Sequence, residues 1–415
     1  MRFHGWRIAW TLAATQTIGY GVLYYSYGVF TLPMEAELGL TRAQTAGAFS
    51  LALLLSGLAA VPIGSWVDAR GARVPMSVGS LLGAASVLLW SYAPSLVVVY
   101  AAQAGVGIAM GLSFYDVAFT VIAAWFRRDR IRAMLVVTMV AGLASTIFIP
   151  LATGLLEAVG WRTALRCLAL LLLVTSLPLH ALIIRDNPRR FGQHPDGLQP
   201  KPAPEQDAAA AEPAGTTAEA LRSRLFWWLT SAFVFDRLAI VAVAAHTVPL
   251  LLERGHSPAL VAAVAGAVGL VQVAGRVIFA PAARLVSLYS LAVTTYLTRV
   301  AALATLLLVP GAVGLWTFAV LFGLANGAST LVRAGLVGEA FGSAHYGAIN
   351  GAMATLIAVA QTFAPLAVGL SYVSTGNYAA ALWGLSATGL LAAYSAWMAK
   401  SASAKRRAAS PIAGV

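Results

Sequence analysis

Residues 64–73 read GSWVDARGAR. Three charged side chains, Asp68, Arg70 and Arg73, and two glycines, Gly64 and Gly71, stand here between long apolar runs. No charge occurs in residues 46–67 and none in 76–115. About 20 helical residues at ~1.5 Å each cross the roughly 30 Å hydrocarbon core of a bilayer, so each run is long enough to span one. GSWVDARGAR is therefore a short turn at the membrane edge joining two spans. The rest of the 415 residues agrees: 60% are hydrophobic and only 10% charged, against about 25% charged in soluble domains. Such a chain lacks the means to solvate its surface and reads as a polytopic helical membrane protein.

Working outward from that turn, apolar runs separated by charge clusters and Gly/Pro breaks predict twelve spans: 7–33, 44–66, 74–92, 95–124, 132–158, 163–184, 225–252, 258–281, 286–309, 312–337, 346–372 and 378–399. Residues 185–224, containing KPAPEQDAAAAEPAGTT, are the one long polar segment. With no apolar period and much Pro, Ala and Glu, they predict a flexible linker. The expected organisation is a six-helix bundle over 1–184, a cytoplasmic linker over 185–224, a second six-helix bundle over 225–399 and a basic tail over 400–415. With both termini on one side, twenty of the 27 Lys and Arg fall on that side and four on the other, Arg42, Arg162, Arg166 and Arg254. The positive-inside rule then makes the termini cytoplasmic. The net charge of +12 comes from short clusters at span ends, which excludes a nucleic-acid reading. The single cysteine, Cys167, excludes an intramolecular disulfide, fits no metal site and is expected to be an inert packing residue. MRFHGWRIAW runs into an apolar stretch too long for a signal-peptide core, so it reads as a retained first helix.

Ionisable groups inside a span cost about 2.5–3.5 kcal/mol on insertion scales, and each is a functional suspect. The deep ones are Asp116, Asp236, Arg237, His246, Arg276 and Arg299. Arg276 lies roughly 12 Å along its helix from Arg284, and Asp116 about 16 Å from Arg127. Gln272 precedes Arg276 by one turn, on the same face. A guanidinium is a permanently charged planar fork that matches a carboxylate. Arg276 therefore suits either an organic anion in a cavity or a structural pairing with Asp116, Asp236 or helix-end carbonyls. Gln16, Tyr20, Tyr24 and Tyr27 share a face of the first span; their phenols can hydrogen-bond a substrate while their rings pack against it, or serve helix packing. Asn326, Thr330 and Arg333 share another face, with Asn326 a candidate for the cavity and Arg333 near the inner end. Asn350 and Gln361 suit interhelical bonds. Asp116 is the leading proton-carrier candidate, because desolvation and a nearby arginine pull a carboxyl's affinity for protons in opposite directions; a fixed ion pair is the other reading. Asp236 is a second proton candidate and, pointing about 100° from Arg237, need not pair with it. His246 and Arg299 read as structural.

Two six-helix halves joined by a cytoplasmic linker resemble the plan of the major facilitator superfamily. GSWVDARGAR resembles that superfamily's loop signature G-x-x-x-D-R-x-G-R-R, with Ala69 and Ala72 in place of two basic residues. Gly64 allows close helix approach, Asp68 can accept hydrogen bonds from a facing helix end, and Gly71 permits the tight turn. The matching place in the second half, APAARLVS, has lost the acid and the glycine. Within the superfamily, Gly5-Trp6, Trp125-Phe126-Arg127-Arg128 leading into RIRA, Pro150 and Gly160-Trp161-Arg162 resemble the monocarboxylate transporter and oxalate/formate carrier branch. That branch carries D-x-x-x-R in its eighth helix, where this chain has Gln272-x-x-x-Arg276. The resemblance implies that Arg276 engages a substrate carboxylate. It leaves the proton route in doubt, since the acid and the branch's first-helix lysine both lack counterparts. The drug–proton antiporter signature of the fifth helix is absent from VAGLASTIFIP.

The expectation is an all-α membrane protein with twelve transmembrane helices in two pseudo-symmetric six-helix bundles. By this reading it is a proton-coupled symporter of a small organic anion, a monocarboxylate, in the cell inner membrane, acting as a monomer in the lipid bilayer. Arg276, Gln272, Tyr20, Tyr24 and Asn326 would bind substrate, Asp116 and Asp236 would couple protons, and Gly64, Asp68, Arg70, Gly71 and Arg73 would form the gating loop. The alternatives are a transporter of a larger amphipathic metabolite or drug, and a sensor with a transporter fold and no flux. No cofactor, metal or nucleic acid is called for. The sequence offers no nucleophile–base pair, metal cluster or phosphate loop that would make an enzyme.

Overall fold

The structure, a computed structural model, describes residues 3–197, 217–342 and 344–409. The described residues are helical, with no strand among them. The first apolar run forms α1 (Gly5–Gly19), a π-helical turn (Tyr20–Tyr25) and α2 (Ser26–Leu38). Next come α3 (Arg42–Leu58), started by a Thr41/Gln44 capping box, and α4 (Ala60–Arg70). The run continues with α5 (Arg73–Ser91), α6 (Leu96–Ser113), α7 (Tyr115–Trp125), α8 (Arg130–Ala141) and α9 (Ala144–Leu182). Beyond the linker lie α10 (Thr217–Arg222), α11 (Arg224–Glu253), α12 (Pro258–Leu285) and α13 (Leu288–Leu308). The chain ends with α14 (Gly311–Phe341), α15 (Tyr346–Thr362), α16 (Ala364–Thr375) and α17 (Ala379–Ala409). Ser257 and Ser287 cap α12 and α13 by accepting a backbone N–H three residues on, which satisfies one orphan donor of each first turn.

Among the described residues nine helices are long and apolar enough to cross a membrane, or ten if the α3–α4 pair, bent by 42°, is one span. One of the nine, Arg130–Leu182, contains Gly160 at φ 74° and is thereby broken in two. Over the first run, α1 and α2 are only 15 and 13 residues long because the π-turn separates them. Large apolar side chains such as Leu170, Leu270, Trp383 and Trp397 are exposed on helix exteriors, the surface expected of helices solvated by lipid.

The chain divides into two compact units, one of residues 1–204 with 342–358 and one of 205–341 with 359–415. In the first unit, Phe30, Met34, Trp90, Val99, Trp161 and Leu165 form the core. At one end, beyond the apolar stretch of α2, Trp161 Nε1 donates to Glu37 Oε2 at 2.6 Å. Arg162 donates to Glu37 Oε1 at 2.8 Å and to the carbonyls of Ser91 and Ala93 at 2.8 and 2.9 Å. Gly160-Trp161-Arg162 thus ties three helix ends together. In the second unit, Leu251, Val264, Leu303, Phe318 and Phe322 form the core. Gly275 and Gly327 let α12 and α14 approach closely: a Cβ on Gly275 would lie 2.4 Å from the Leu324 carbonyl oxygen, and one on Gly327 2.0 Å from that of Gln272.

The start of the linker departs from the flexible segment expected. Residues 188–191 and 195–197 form 3-10 turns. Asp196, at φ 60°, accepts the backbone N–H groups of Arg127, Arg128 and Asp129 at 2.9–3.3 Å. Gln193 accepts the His4 N–H at 3.0 Å. Polar side chains that read as solvating a linker act here as local caps. The expectation for 198–216, and for the tail beyond 409, lies outside the described residues. Cys167 is exposed on α9 rather than packed.

Candidate functional site

The turn GSWVDARGAR is fixed side chain by side chain within the first unit. Asp68, at the end of α4, accepts the backbone N–H of Gly347 at 2.9 Å and of Ala348 at 2.7 Å. Those donors open α15 and have no intrahelical acceptor, and a carboxylate there also meets the positive end of the helix dipole. Gly64 makes this possible, because a Cβ at that position would lie 2.1 Å from the Gly347 carbonyl oxygen. Gly71 adopts φ 85° with Asp186 packed against its Cα. Asp186 accepts the Arg73 backbone N–H at 3.0 Å, and Arg73 Nε donates to the Ala181 carbonyl at 2.6 Å. Arg70, with Arg127 and Arg189, lines a cavity of about 350 Å³ beside the turn.

Deeper in the same unit the fourth predicted span is broken. Phe114 is extended (φ −80°, ψ −169°) between α6 and α7, which frees the last carbonyls of α6. Gln16 on α1, 1% exposed, donates its Nε2 to the Ser113 carbonyl at 2.6 Å. The break puts Asp116 in the first turn of α7, half-buried, where Asn350 Nδ2 donates to its Oδ1 at 2.9 Å. Tyr20, in the π-turn, stacks on Phe114 with ring centroids 4.0 Å apart. Tyr24 meets Tyr20 at 6.1 Å and Phe49 at 5.3 Å. The structure thus gathers Tyr20, Tyr24, Asp116 and Asn350 around one helix break. Tyr27 is buried in the core, its hydroxyl donating to the Thr45 carbonyl at 2.6 Å and its ring stacked between Phe49 at 4.8 Å and Trp90 at 5.2 Å.

In the second unit the geometry centres on Arg299, which is fully buried. Its Nε donates to Asp236 Oδ1 at 2.7 Å, one terminal nitrogen to Asn326 Oδ1 at 2.7 Å and the other to Ser329 Oγ at 2.8 Å. Its guanidinium lies 4.9 Å from the Phe322 ring centroid. Asp236 and Asn326, candidates for proton coupling and substrate, are both engaged by this one arginine. Arg237 turns away and donates to Gln361 at 2.9 Å. Arg276 is 7% exposed and Gln272, one turn earlier, is half-buried, where α12 packs on α14. The sequence reading missed Ser329, Asp186 and Phe114. Ser329 and Asp186 are ordinary polar residues whose partners lie 30 and 113 positions away. Only the serine of SFYDV hinted at the break, and it is common in regular helices.

Comparison with known proteins follows the same lines. The family model described as Major Facilitator Superfamily matches residues 12–365. Monocarboxylate transporter 11 of Mus musculus is 31% identical over 180 residues, 42% of this chain and 38% of that protein. Monocarboxylate transporter 11 of Homo sapiens is 28% identical over 268 residues, 63% of this chain and 53% of that protein. The matched stretch therefore spans about half the relatives' length or less. Among solved structures, the Major Facilitator Superfamily transporter FucP, in the outward conformation, aligns with a TM-score of 0.71 at 14% identity, over 95% of this chain and 99% of that one.

Proposed function

The chain belongs to the major facilitator superfamily, and from that premise we propose that it is a secondary transporter moving a small organic anion, a monocarboxylate, together with a proton. The observation that carries the reading is Arg276: a guanidinium in mid-helix, 93% shielded from solvent, that cannot lose its charge. Gln272 stands one turn away where the related branch keeps an acid, so the arginine's own helix supplies no countercharge there. In this reading Arg276 holds the carboxylate as a bidentate clamp, Gln272 and Asn326 are the further substrate contacts proposed in the second unit, and Tyr20 and Tyr24 are those proposed in the first. Asp116, half-buried and hydrogen-bonded to a neutral amide, takes up the proton, and Asp236 holds Arg299 in a buried network that senses the same step. The similarity to the monocarboxylate transporters supports the anion class. The charge bias supports a cell inner membrane location with both termini cytoplasmic, and alternating access is the expected cycle.

Uptake into proteoliposomes of labelled mono- and dicarboxylates, vitamins and dyes, with and without an inward proton gradient, tests this directly. Monocarboxylate uptake that the gradient accelerates is expected. Arg276→Lys should lower carboxylate uptake at least tenfold, because an ammonium cannot reproduce the fork. Full uptake by that variant would overturn the clamp. Asp116→Asn should transport without accumulating against a gradient; intact proton-driven accumulation would remove Asp116 from the coupling. Selective uptake of dyes, or no flux of any compound, would favour the drug-carrier and sensor alternatives respectively.

A further inference from the structure

Around the break in the fourth span, six aromatic rings of the first unit form a chain of contacts, which continues from Tyr24 to Tyr25 and from Phe49 through Tyr27 and Trp90 to Phe30 in the core. Phe49 meets Tyr24 at 5.3 Å, Tyr24 meets Tyr20 at 6.1 Å, and Tyr20 lies face to face on Phe114 at 4.0 Å and 20°. Tyr20 also touches Tyr115 at 4.9 Å, and Tyr115 stacks on Phe119 at 5.1 Å and 6°. Five of the six are only half-buried, Phe119 being the exception, so these rings keep some surface open while Tyr24, Phe49 and Phe114 pack on the core. Elsewhere this unit seals its helix contacts with small residues, as at Gly64 and Gly107, whose added Cβ would lie 2.1 and 2.2 Å from a neighbouring backbone oxygen.

Two backbone irregularities create the array. The π-turn changes the register of the first span over Tyr20–Tyr25, and it is held by Gly21, whose Cα faces the Phe148 ring so closely that a Cβ would lie 2.1 Å from it. The extended Phe114 separates α6 from α7 and delivers two consecutive rings, Phe114 and Tyr115, to the same place. Such interruptions cost helical hydrogen bonds and concentrate at functional sites. An independent feature lies one turn before Tyr20. Gln16 uses its Nε2 on the Ser113 carbonyl, while its Oε1 is buried without a hydrogen-bond partner. A buried acceptor left unmade is costly, and a donor brought by a ligand removes that cost.

From these features we infer that the transported carboxylate carries an aromatic ring, which seats on the Tyr20–Phe114–Tyr115 face, with Gln16 Oε1 accepting from a hydroxyl or N–H on the ligand where it has one. The inference rests on the carboxylate reading above and adds its substrate class: aryl or arylalkyl monocarboxylates in preference to saturated ones of the same size. Offset and edge contacts between rings add to what area alone contributes, so the preference survives when hydrophobicity is matched.

Binding to the full-length protein in detergent separates the possibilities, using two matched pairs: benzoate against cyclohexanecarboxylate, and phenylacetate against cyclohexylacetate. The aryl member of each pair should bind about three- to tenfold tighter. Tyr20→Leu should bring that ratio close to one, and Tyr20→Phe should keep it. Should Tyr20→Leu fail to fold, Tyr24→Leu provides the second test and should reduce the ratio. Equal or tighter binding of the saturated acids, or a ratio untouched by the leucine variants, overturns the aromatic site while leaving the carboxylate reading standing. Failure of all four acids to bind overturns both.

Discussion

Arg299 has no exposed surface, and an oxygen receives each of its three guanidinium nitrogens, from Asp236, Asn326 and Ser329. A charge so far from water is tolerated only with its partner in place, and removing one member of a buried pair costs about 3–5 kcal/mol. Asp236→Ala should therefore lower the thermal unfolding midpoint sharply in detergent. The double variant Asp236→Leu with Arg299→Met should recover much of the loss, since it leaves no unpaired charge. A single variant as stable as the parent would show that the pair is not structural. Glu37 gives the opposite case, an exposed acid. Its hydrogen bond from Trp161, followed by that from Arg162, holds its carboxyl below the ordinary glutamate value of 4.5. Because the folded value is the lower one, the contribution is complete above the unfolded value and fades as pH falls through the folded one. Stability measured from pH 6 to 3 should drop less steeply in Glu37→Gln; identical slopes would exclude the clamp as an acid-sensitive element. Of these contacts the sequence displayed only the charges. Asp236 and Arg299 are 63 residues apart, and no periodicity links two helices that meet only in the folded unit.

At the scale of elements, two glycines separate conformational from steric demand. Gly160 has φ 74° with nothing within 4 Å of where a Cβ would stand, whereas Gly64 is helical and a Cβ would lie 2.1 Å from the Gly347 carbonyl oxygen. Gly160→Ala should cost only the backbone term of φ 74°, ψ 161°, a region kept almost entirely for glycine, on the order of 1–3 kcal/mol. Gly64→Ala must push α4 from α15 and lengthen the Asp68 hydrogen bonds as well. The expected order in thermal stability is parent, Gly160→Ala, Gly64→Ala, and reversing the two variants would show that α4 and α15 yield easily. The ends of most helices were legible, because Gly, Pro, Ser and charge clusters punctuate the apolar runs; α12 begins at the predicted Pro258 and α15 at the predicted Tyr346. The interruptions inside runs were not. The π-turn and the extended Phe114 stand at or beside Gly19, Gly21 and Ser113, residue types equally at home inside regular transmembrane helices. Their causes are tertiary, a ring packed on Gly21 and a glutamine drawn to the Ser113 carbonyl. For the same reason the candidate site was visible as a set of residue types, Arg276, Asp116 and the tyrosines, but not as an aromatic array.

For the whole molecule, the division of contacts differs from the division of the sequence. In the sequence the polar segment separates six expected spans from six, whereas by contacts residues 342–358, far beyond it, belong to the first compact unit. They are held there by Asp68 on the first turn of α15, by Asn350 on Asp116, and by Thr355, whose hydroxyl donates to the Gly57 carbonyl at 2.6 Å. A ladder of small residues runs between these bonds. A Cβ on Gly57 would meet Ala358 and one on Gly351 the Ala60 carbonyl, at 2.1 and 2.3 Å. Close backbone approach of this kind is what associates helices where lipid competes on equal terms with apolar side chains. Continuity of the chain through 198–216 is then not what keeps α15 in the first unit. Expressed as two pieces cut within that segment, the protein should copurify in mild detergent through α15. Asp68→Ala combined with Gly347→Leu on the separate pieces should reduce the yield of the pair severalfold, because the first removes the acceptor and the second inserts a side chain where Gly64 O and Asp68 already lie within 3 Å of a Cβ. Glu37→Gln, at the opposite end of the same unit, should leave the yield unchanged. If the pieces separate with the parent sequence, or if the double variant copurifies as well as the parent, then the ladder and the Asp68 cap do not hold α15 in place and the linker must.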